Sequence, residues 1–205
     1  MSIETGTEAL LTRRREILTQ GAEPIGWKVG FNVPEIQQKL GIDAPLAGFL
    51  TTDSLIEDAW DEYPIVVESE VAVELGDDGR SIAALLPAIE LADPPDLDLE
   101  LEQILAGNIF HRAVTFGPRV ETAQPGAARI LVNGEEQHSI DAERTGANLE
   151  AMVEAVAARL EAAGEELRPG ERIITGVLAP PHEATEGDTV RLELDALGSV
   201  EVRFS

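Results

Sequence analysis

Val66-Val67-Glu68-Ser69-Glu70-Val71-Ala72-Val73-Glu74-Leu75-Gly76 is the stretch whose reading decides the fold. β-Branched residues dominate it and Gly76-Asp77-Asp78-Gly79 closes it with turn chemistry, so it predicts a strand. Side chains alternate along a strand, which puts Val67, Val71, Val73 and Leu75 on one apolar face and projects Glu68 and Glu70 together from the other. Two neighbouring carboxylates repel, and a hard divalent cation between them removes the conflict. Composition is the competing explanation. With 39 Asp and Glu in 205 residues, Glu-x-Glu pairs also arise by chance, as Glu100 and Glu102 do. Glu74 shares the acidic face but lies farther along it, and is not expected to join the pair.

Outward from this strand the pattern is of many short strands and few helices. Upstream, residues 7–20 read as a helix with Thr7 as a candidate cap and Gly21 as its stop. Ile25 to Phe31 alternates as a strand, with Ile25, Trp27, Val29 and Phe31 on one face and Lys28 between Gly26 and Gly30 on the other. A lysine flanked by glycines either has open space for a ligand or guards a sheet edge. Residues 33–40 read as a short helix with proline in its first turn. Residues 42–61 are loop-rich, with a short strand near Phe49-Leu50.

Downstream, Ala84 to Asp93 is an apolar run interrupted by Glu90, an acid that, once buried, must be paired, protonated or bound to metal. Residues 98–106 form a short amphipathic helix, and Ala113 to Phe116 a strand just after His111. Asn133-Gly134 marks a hairpin. Residues 148–163 give the clearest helical stripe, residues 172–178 a buried strand, and 189–194 with 199–204 a closing hairpin. The absence of a β–α rhythm argues against a doubly wound sheet and for an α+β, mainly β class. His111 is either a core histidine bonded to backbone or a proton carrier; His138 and His182 fall in predicted loops.

The net charge is 15 − 39 = −24, a field that repels nucleic acid and anionic membranes. There is no cysteine, which excludes disulfides and thiolate chemistry. No apolar run reaches membrane-spanning length, and Met1 to Thr5 lacks signal-peptide character, so a cytoplasmic protein is expected. The length suits one domain over residues 25–205 with a helical appendage at 1–24.

Taken in order, several pieces resemble the 2-keto-4-pentenoate hydratase and 2-oxo-acid decarboxylase group of the fumarylacetoacetate hydrolase superfamily. They are Gly26-Trp27-Lys28-Val29-Gly30-Phe31, Leu40-Gly41-Ile42-Asp43-Ala44-Pro45, Glu68-Ser69-Glu70-Val71-Ala72, Pro87-Ala88-Ile89-Glu90, Ile174-Thr175-Gly176 and Gly187-Asp188-Thr189-Val190. The resemblance implies a mixed β-sandwich roll with flanking helices. It implies Mg²⁺ or Mn²⁺ held by Glu68, Glu70 and Glu90, with Lys28 and His111 as catalytic candidates and Leu40 and Thr175 as substrate contacts. It further implies a homo-oligomeric lyase of aromatic catabolism acting on a small 2-oxo acid or its enol, most nearly a hydratase. A decarboxylase, a C–C bond hydrolase and a non-catalytic partner subunit are the alternatives. Two departures stand out. Leu46 occupies a place where the hydratases carry an acid, and Asn108-Ile109-Phe110-His111 replaces small hydroxyl residues; His111 is the candidate substitute for the missing acid.

Overall fold

The computed structural model describes residues 3–56, 59–122 and 124–205. In chain order these form α1 (Ile3–Thr19), β1 (Pro24–Gly30), α2 (Pro34–Leu40), β2 (Leu46–Thr51), β3 (Ala59–Trp60), β4 (Val66–Leu75), β5 (Ile82–Ala92), α3 (Leu101–Ala106) and β6 (His111–Phe116). There follow β7 (Ala128–Val132), β8 (Glu135–Ile140), α4 (Ala142–Thr145), α5 (Leu149–Ala162), β9 (Arg172–Val177), β10 (His182–Glu183), β11 (Thr189–Leu194) and β12 (Gly198–Phe204).

The strands make two sheets. The larger runs β2–β1–β9–β4–β5–β6, with β10 also against β4, and the smaller runs β3–β12–β11–β7–β8. The larger sheet curls into a roll. Past β2 the chain reaches β6, where Leu55 bridges Val114 and the Ile56 N–H donates to the Val114 carbonyl at 3.0 Å. Alternation on β4 then sorts side chains between two environments. Val67, Val71, Val73 and Leu75 point outward into a large core shared with the second sheet and α5, through residues such as Leu192, Val202, Val153 and Val156. Ala72 points into the roll, whose interior also holds Leu50, Leu86, Ala88, Val114 and Ile174. Each fully buried Leu or Ile contributes about 1.5–3 kcal/mol, so the two faces of one strand hold both layers together.

The mainly β, mixed sandwich-roll architecture is the one expected. Asn133 and Gly134 both take positive φ (54° and 80°) at the β7–β8 turn, as a two-residue hairpin demands. Other details differ from the sequence reading. Helix α1 begins at Ile3, and Thr7 lies inside it, its hydroxyl donating to the Ile3 carbonyl instead of capping. Leu10 and Leu11 of α1 enter the large core, and the Arg14 guanidinium lies over the Trp27 ring at 4.7 Å. Strand β1 is interior to the sheet, so Lys28 guards no edge. A register irregularity between Pro24 and Gly26 turns Ile25 toward the roll interior, away from Trp27 and Val29.

The glycines beside Lys28 do not leave open space. A Cβ at Gly26 collides with the Arg172 backbone, and one at Gly30 meets the Ile109 side chain at 2.8 Å. His182 and His138, read as loop residues, lie in strands: β10 is created only by its pairing with Val66 and Val67, and His138 of β8 pairs with Ile130 of β7.

Candidate metal centre

Antiparallel register places Glu68 of β4 opposite Glu90 of β5, and Glu70 projects from the same side of β4 one pleat on. One carboxylate oxygen from each of Glu68, Glu70 and Glu90 lies within 4.8 Å of the others. Among the described residues these three form the one such group of His, Asp or Glu. Glu70 and Glu90 are fully buried, while Glu68 faces the cleft above them.

The hydrogen bonds are incomplete in a telling way. Glu70 Oε2 accepts from the Gly176 N–H at 2.6 Å, and Glu70 Oε1 has no partner. Glu90 Oε1 accepts from the Lys28 ammonium and lies 2.8 Å from His111 Nδ1, and Glu90 Oε2 has no partner. A buried polar group left unsatisfied costs about 1–3 kcal/mol, more when charged. A cation among the three carboxylates answers both oxygens at once, so the donor set fits a hard divalent ion.

Electrostatics divides the acids into two kinds. Burial, then the charge of Glu90, pushes Glu68 up to about 7 against the pull of Lys28. Glu70 stands well above the carboxylate range through burial and its two acidic neighbours, with Lys28 and the Gly176 N–H opposing. Burial also pushes Glu90 up, but Lys28 and His111 outweigh it and hold this carboxyl below its ordinary value. Lys28 is raised, since Glu90 and Glu68 together outweigh the effect of its burial. Glu90 and Lys28 are therefore an ion pair, whereas burial and its acidic neighbours favour the neutral form of Glu70, and a cation among the carboxylates favours its charged form.

Two backbone irregularities build this arrangement. Opposite Glu70 the β4–β9 register slips, and Gly176, at φ 97°, turns its N–H onto the Glu70 carboxylate. A glycine inside a strand pattern is the sequence signal for such a bulge. The second is the turn Asn108-Ile109-Phe110, whose φ values of 60°, 52° and 64° make three left-handed residues in succession. Such backbone costs about 1–2 kcal/mol per residue. Asn108 offsets part of this: its Oδ1 accepts from the Phe49 N–H at 2.8 Å and its Nδ2 donates to the Phe49 carbonyl at 3.0 Å. The turn aims the Ile109 carbonyl at Lys28 Nζ (3.2 Å) and delivers His111 to Glu90. His111 Nε2 meets Ser54 Oγ at 3.1 Å, so both ring nitrogens contact side chains and neither contacts backbone. Ser54, the Ile109 carbonyl and the Gly176 N–H are members of the site that spacing in the sequence did not mark.

A cleft of about 250 Å³ opens over Lys28 and Glu68. Thr175 and Leu40 do not line it. The Thr175 hydroxyl donates to the Val71 carbonyl at 2.8 Å, and Leu40 packs against the apolar cluster of Ile42, Leu46, Ile104, Leu105 and Ile109. Leu46 is sealed in that same cluster. Glu74 is bound to Arg119 (2.6 Å) and Arg172 (3.3 Å), away from the trio.

No family model matches the chain. A 2-keto-4-pentenoate hydratase of Dechloromonas aromatica is 26% identical, over 93% of this chain and 81% of that protein. A 4-oxalocrotonate decarboxylase of a Pseudomonas species is also 26% identical, over 89% of this chain and 79% of its own length. Among solved structures, the 4-oxalocrotonate decarboxylase of Pseudomonas putida G7, complexed with calcium and acetate, superposes with a TM-score of 0.87 at 19% identity, covering 100% of this chain and 86% of that one. The resemblance carried by the motifs stands: the chain has the fumarylacetoacetate hydrolase fold and is similar to these hydratases and decarboxylases over most of its length.

Proposed function

We propose that this protein is a divalent-metal-dependent hydro-lyase acting on a small 2-oxo acid or its enol, in the manner of a 2-keto-4-pentenoate hydratase. The observation that carries the proposal is the trio Glu68, Glu70 and Glu90, with two buried carboxylate oxygens lacking any protein partner. Mg²⁺ or Mn²⁺ suits an all-oxygen site that leaves positions open. When bound, the ion supplies Lewis-acid polarisation of a 2-oxo acid and stabilises negative charge on its enol form.

The chain's own groups do the rest. Glu68, Glu70 and Glu90 hold the ion. Lys28, buried and charged beside Glu90, places a cationic donor at the cleft floor and stabilises charge or moves a proton there. His111 orients Glu90 from its other side and stands in for the acid that Leu46 replaces. Thr175 positions β9 through Val71, and so places Gly176 on Glu70. The helix carrying Leu40 walls the cleft through Ile36 and excludes water. All these residues fall within 25–205, the single domain expected from the length, which this reading makes the catalytic one. The reading is completed by a homo-oligomeric, cytoplasmic enzyme of aromatic catabolism.

Decarboxylation is the second candidate reaction, favoured by the match to 4-oxalocrotonate decarboxylase. Incubating the purified protein with a panel of 2-oxo acids and dienols, with Mg²⁺ or with chelator, tests both. Metal-dependent addition of water without CO₂ release is expected. CO₂ release assigns the decarboxylase reaction instead. No turnover of any member leaves the non-catalytic alternative and refutes the enzyme.

A further inference from the structure

The walls of the cleft are the part of the site that the metal centre does not explain. Phe31, Val33, Ile36, Leu97, Ile109 and Phe110 line it, so everything beyond Lys28 and Glu68 is predominantly apolar. Phe31 and Phe110 stand out among them. Both are bulky residues in left-handed backbone, at φ 57° and 64°, where such side chains are genuine outliers. Their rings meet edge to face, with centroids 6.5 Å apart and planes at 81°. Phe31 directly follows the strand that carries Lys28, and Phe110 directly precedes His111. The strained turn that delivers His111 thus also sets this aromatic pair in the wall of the cleft that opens over Lys28 and Glu68.

Most polar groups around the cleft already have partners. The Lys28 ammonium is bound to Glu90 and the Ile109 carbonyl, and Asn32 Nδ2 donates to the Thr175 carbonyl at 3.3 Å. The Asp93 carboxylate is paired with Arg112 at 3.2 Å. Among the described lining residues Lys28 is the one cation, and it sits at the metal end. A second carboxylate on a substrate tail therefore meets hydrocarbon, an aspartate and at most the second amide N–H of Asn32, and loses its hydration without gaining a counter-charge. A planar apolar tail instead finds an aromatic edge and face to pack on.

Resting on the 2-oxo-acid assignment above, we propose that Phe31 and Phe110 are the specificity-determining residues of this site. They select 2-oxo acids with a single carboxylate and an apolar, planar tail, and exclude dicarboxylates.

The test is direct binding, by calorimetry, of pyruvate, phenylpyruvate and 2-oxoglutarate to the Mn²⁺-loaded protein. Phenylpyruvate is expected to bind at least tenfold tighter than pyruvate, and 2-oxoglutarate no tighter than pyruvate. In Phe110→Ala and Phe31→Ala the phenylpyruvate-to-pyruvate ratio falls below threefold, and Phe110→Arg raises 2-oxoglutarate relative to pyruvate. Thermal unfolding checks each variant, and Phe110→Leu, which keeps bulk but not the ring, replaces any that does not fold; it lowers the same ratio. Wild-type protein that binds 2-oxoglutarate as tightly as phenylpyruvate overturns the selector, as does a ratio unchanged in every aromatic variant. If pyruvate itself does not bind the Mn²⁺-loaded protein, the 2-oxo-acid assignment falls and takes the selector with it, an outcome distinct from a failure of the tails alone.

Discussion

Replacing Lys28 with methionine separates the roles of the ammonium and of the metal, because both neutralise the same carboxylate. In the metal-free protein Lys28 is the principal counter-charge of Glu90, and both side chains are almost wholly buried. Removing one partner of a buried ion pair costs about 3–5 kcal/mol. For a chain of this length each kcal/mol moves Tm by roughly 2–4 °C, so Lys28→Met lowers the Tm of the chelator-treated protein by roughly 10 °C. A divalent cation on Glu68, Glu70 and Glu90 then supplies the missing charge and also escapes the repulsion of the ammonium. Mg²⁺ or Mn²⁺ should recover more in the variant than in wild type, by about 2 kcal/mol, the middle of the usual range for coupling between two sites. By linkage the variant binds the ion about thirtyfold more tightly. Thermal unfolding in EDTA and in millimolar metal, with metal affinities from calorimetry, reads both quantities. Equal metal-induced shifts in Tm for the two proteins would refute a cation sharing Glu90 with Lys28. No shift in either would remove the metal altogether.

A raised carboxyl pKa makes a pH prediction whose sign is opposite to the usual one. Glu68 stands at about 7 in the folded, metal-free protein against an ordinary value near 4.5, so its contribution to stability is present at acid pH and lost as pH rises through about 7. The loss amounts to roughly 3 kcal/mol. Tm measured from pH 5 to 8.5 in EDTA should therefore fall more steeply in wild type than in Glu68→Gln, and added Mg²⁺ should flatten the wild-type curve; parallel curves would contradict the assignment. His111→Ala removes a hydrogen bond to a charged group, worth about 1.5–3 kcal/mol, and loosens Glu90. It is expected to lower kcat at saturating metal by at least tenfold, and an unchanged kcat would take His111 out of the mechanism. Glu74→Gln is the control: Glu74 belongs to Arg119 and Arg172, so metal affinity should stay within twofold of wild type while stability drops by up to about 1 kcal/mol.

Residue order carried the β-rich class, most strand positions and the projection of Glu68 and Glu70 from one face, because each is a local property; Glu90 joined them only through the resemblance. Alternation along Val66 to Leu75 is enough to separate Glu68 and Glu70 from the valines, whichever strands later pair with it. Asn133-Gly134 demands its hairpin for a similarly local reason. The ordered motifs pointed to the superfamily fold, and superposition on the decarboxylase agrees.

What only the tertiary structure decided are the features that depend on which distant segments meet. That Glu90 faces Glu68 is a matter of register between two strands, and that Lys28 reaches Glu90 depends on the curl that brings β1 and β5 together across the roll. The space beside Gly30 looked free because its occupant, Ile109, is 79 residues away in sequence. No propensity announces three consecutive left-handed residues at Asn108, Ile109 and Phe110; propensity opposes them, since β-branched and aromatic side chains crowd the backbone there. They persist because the Asn108 side-chain amide is bonded to the Phe49 backbone through both its oxygen and its nitrogen, a tertiary constraint that outweighs the local cost and fixes where His111 and the cleft wall stand.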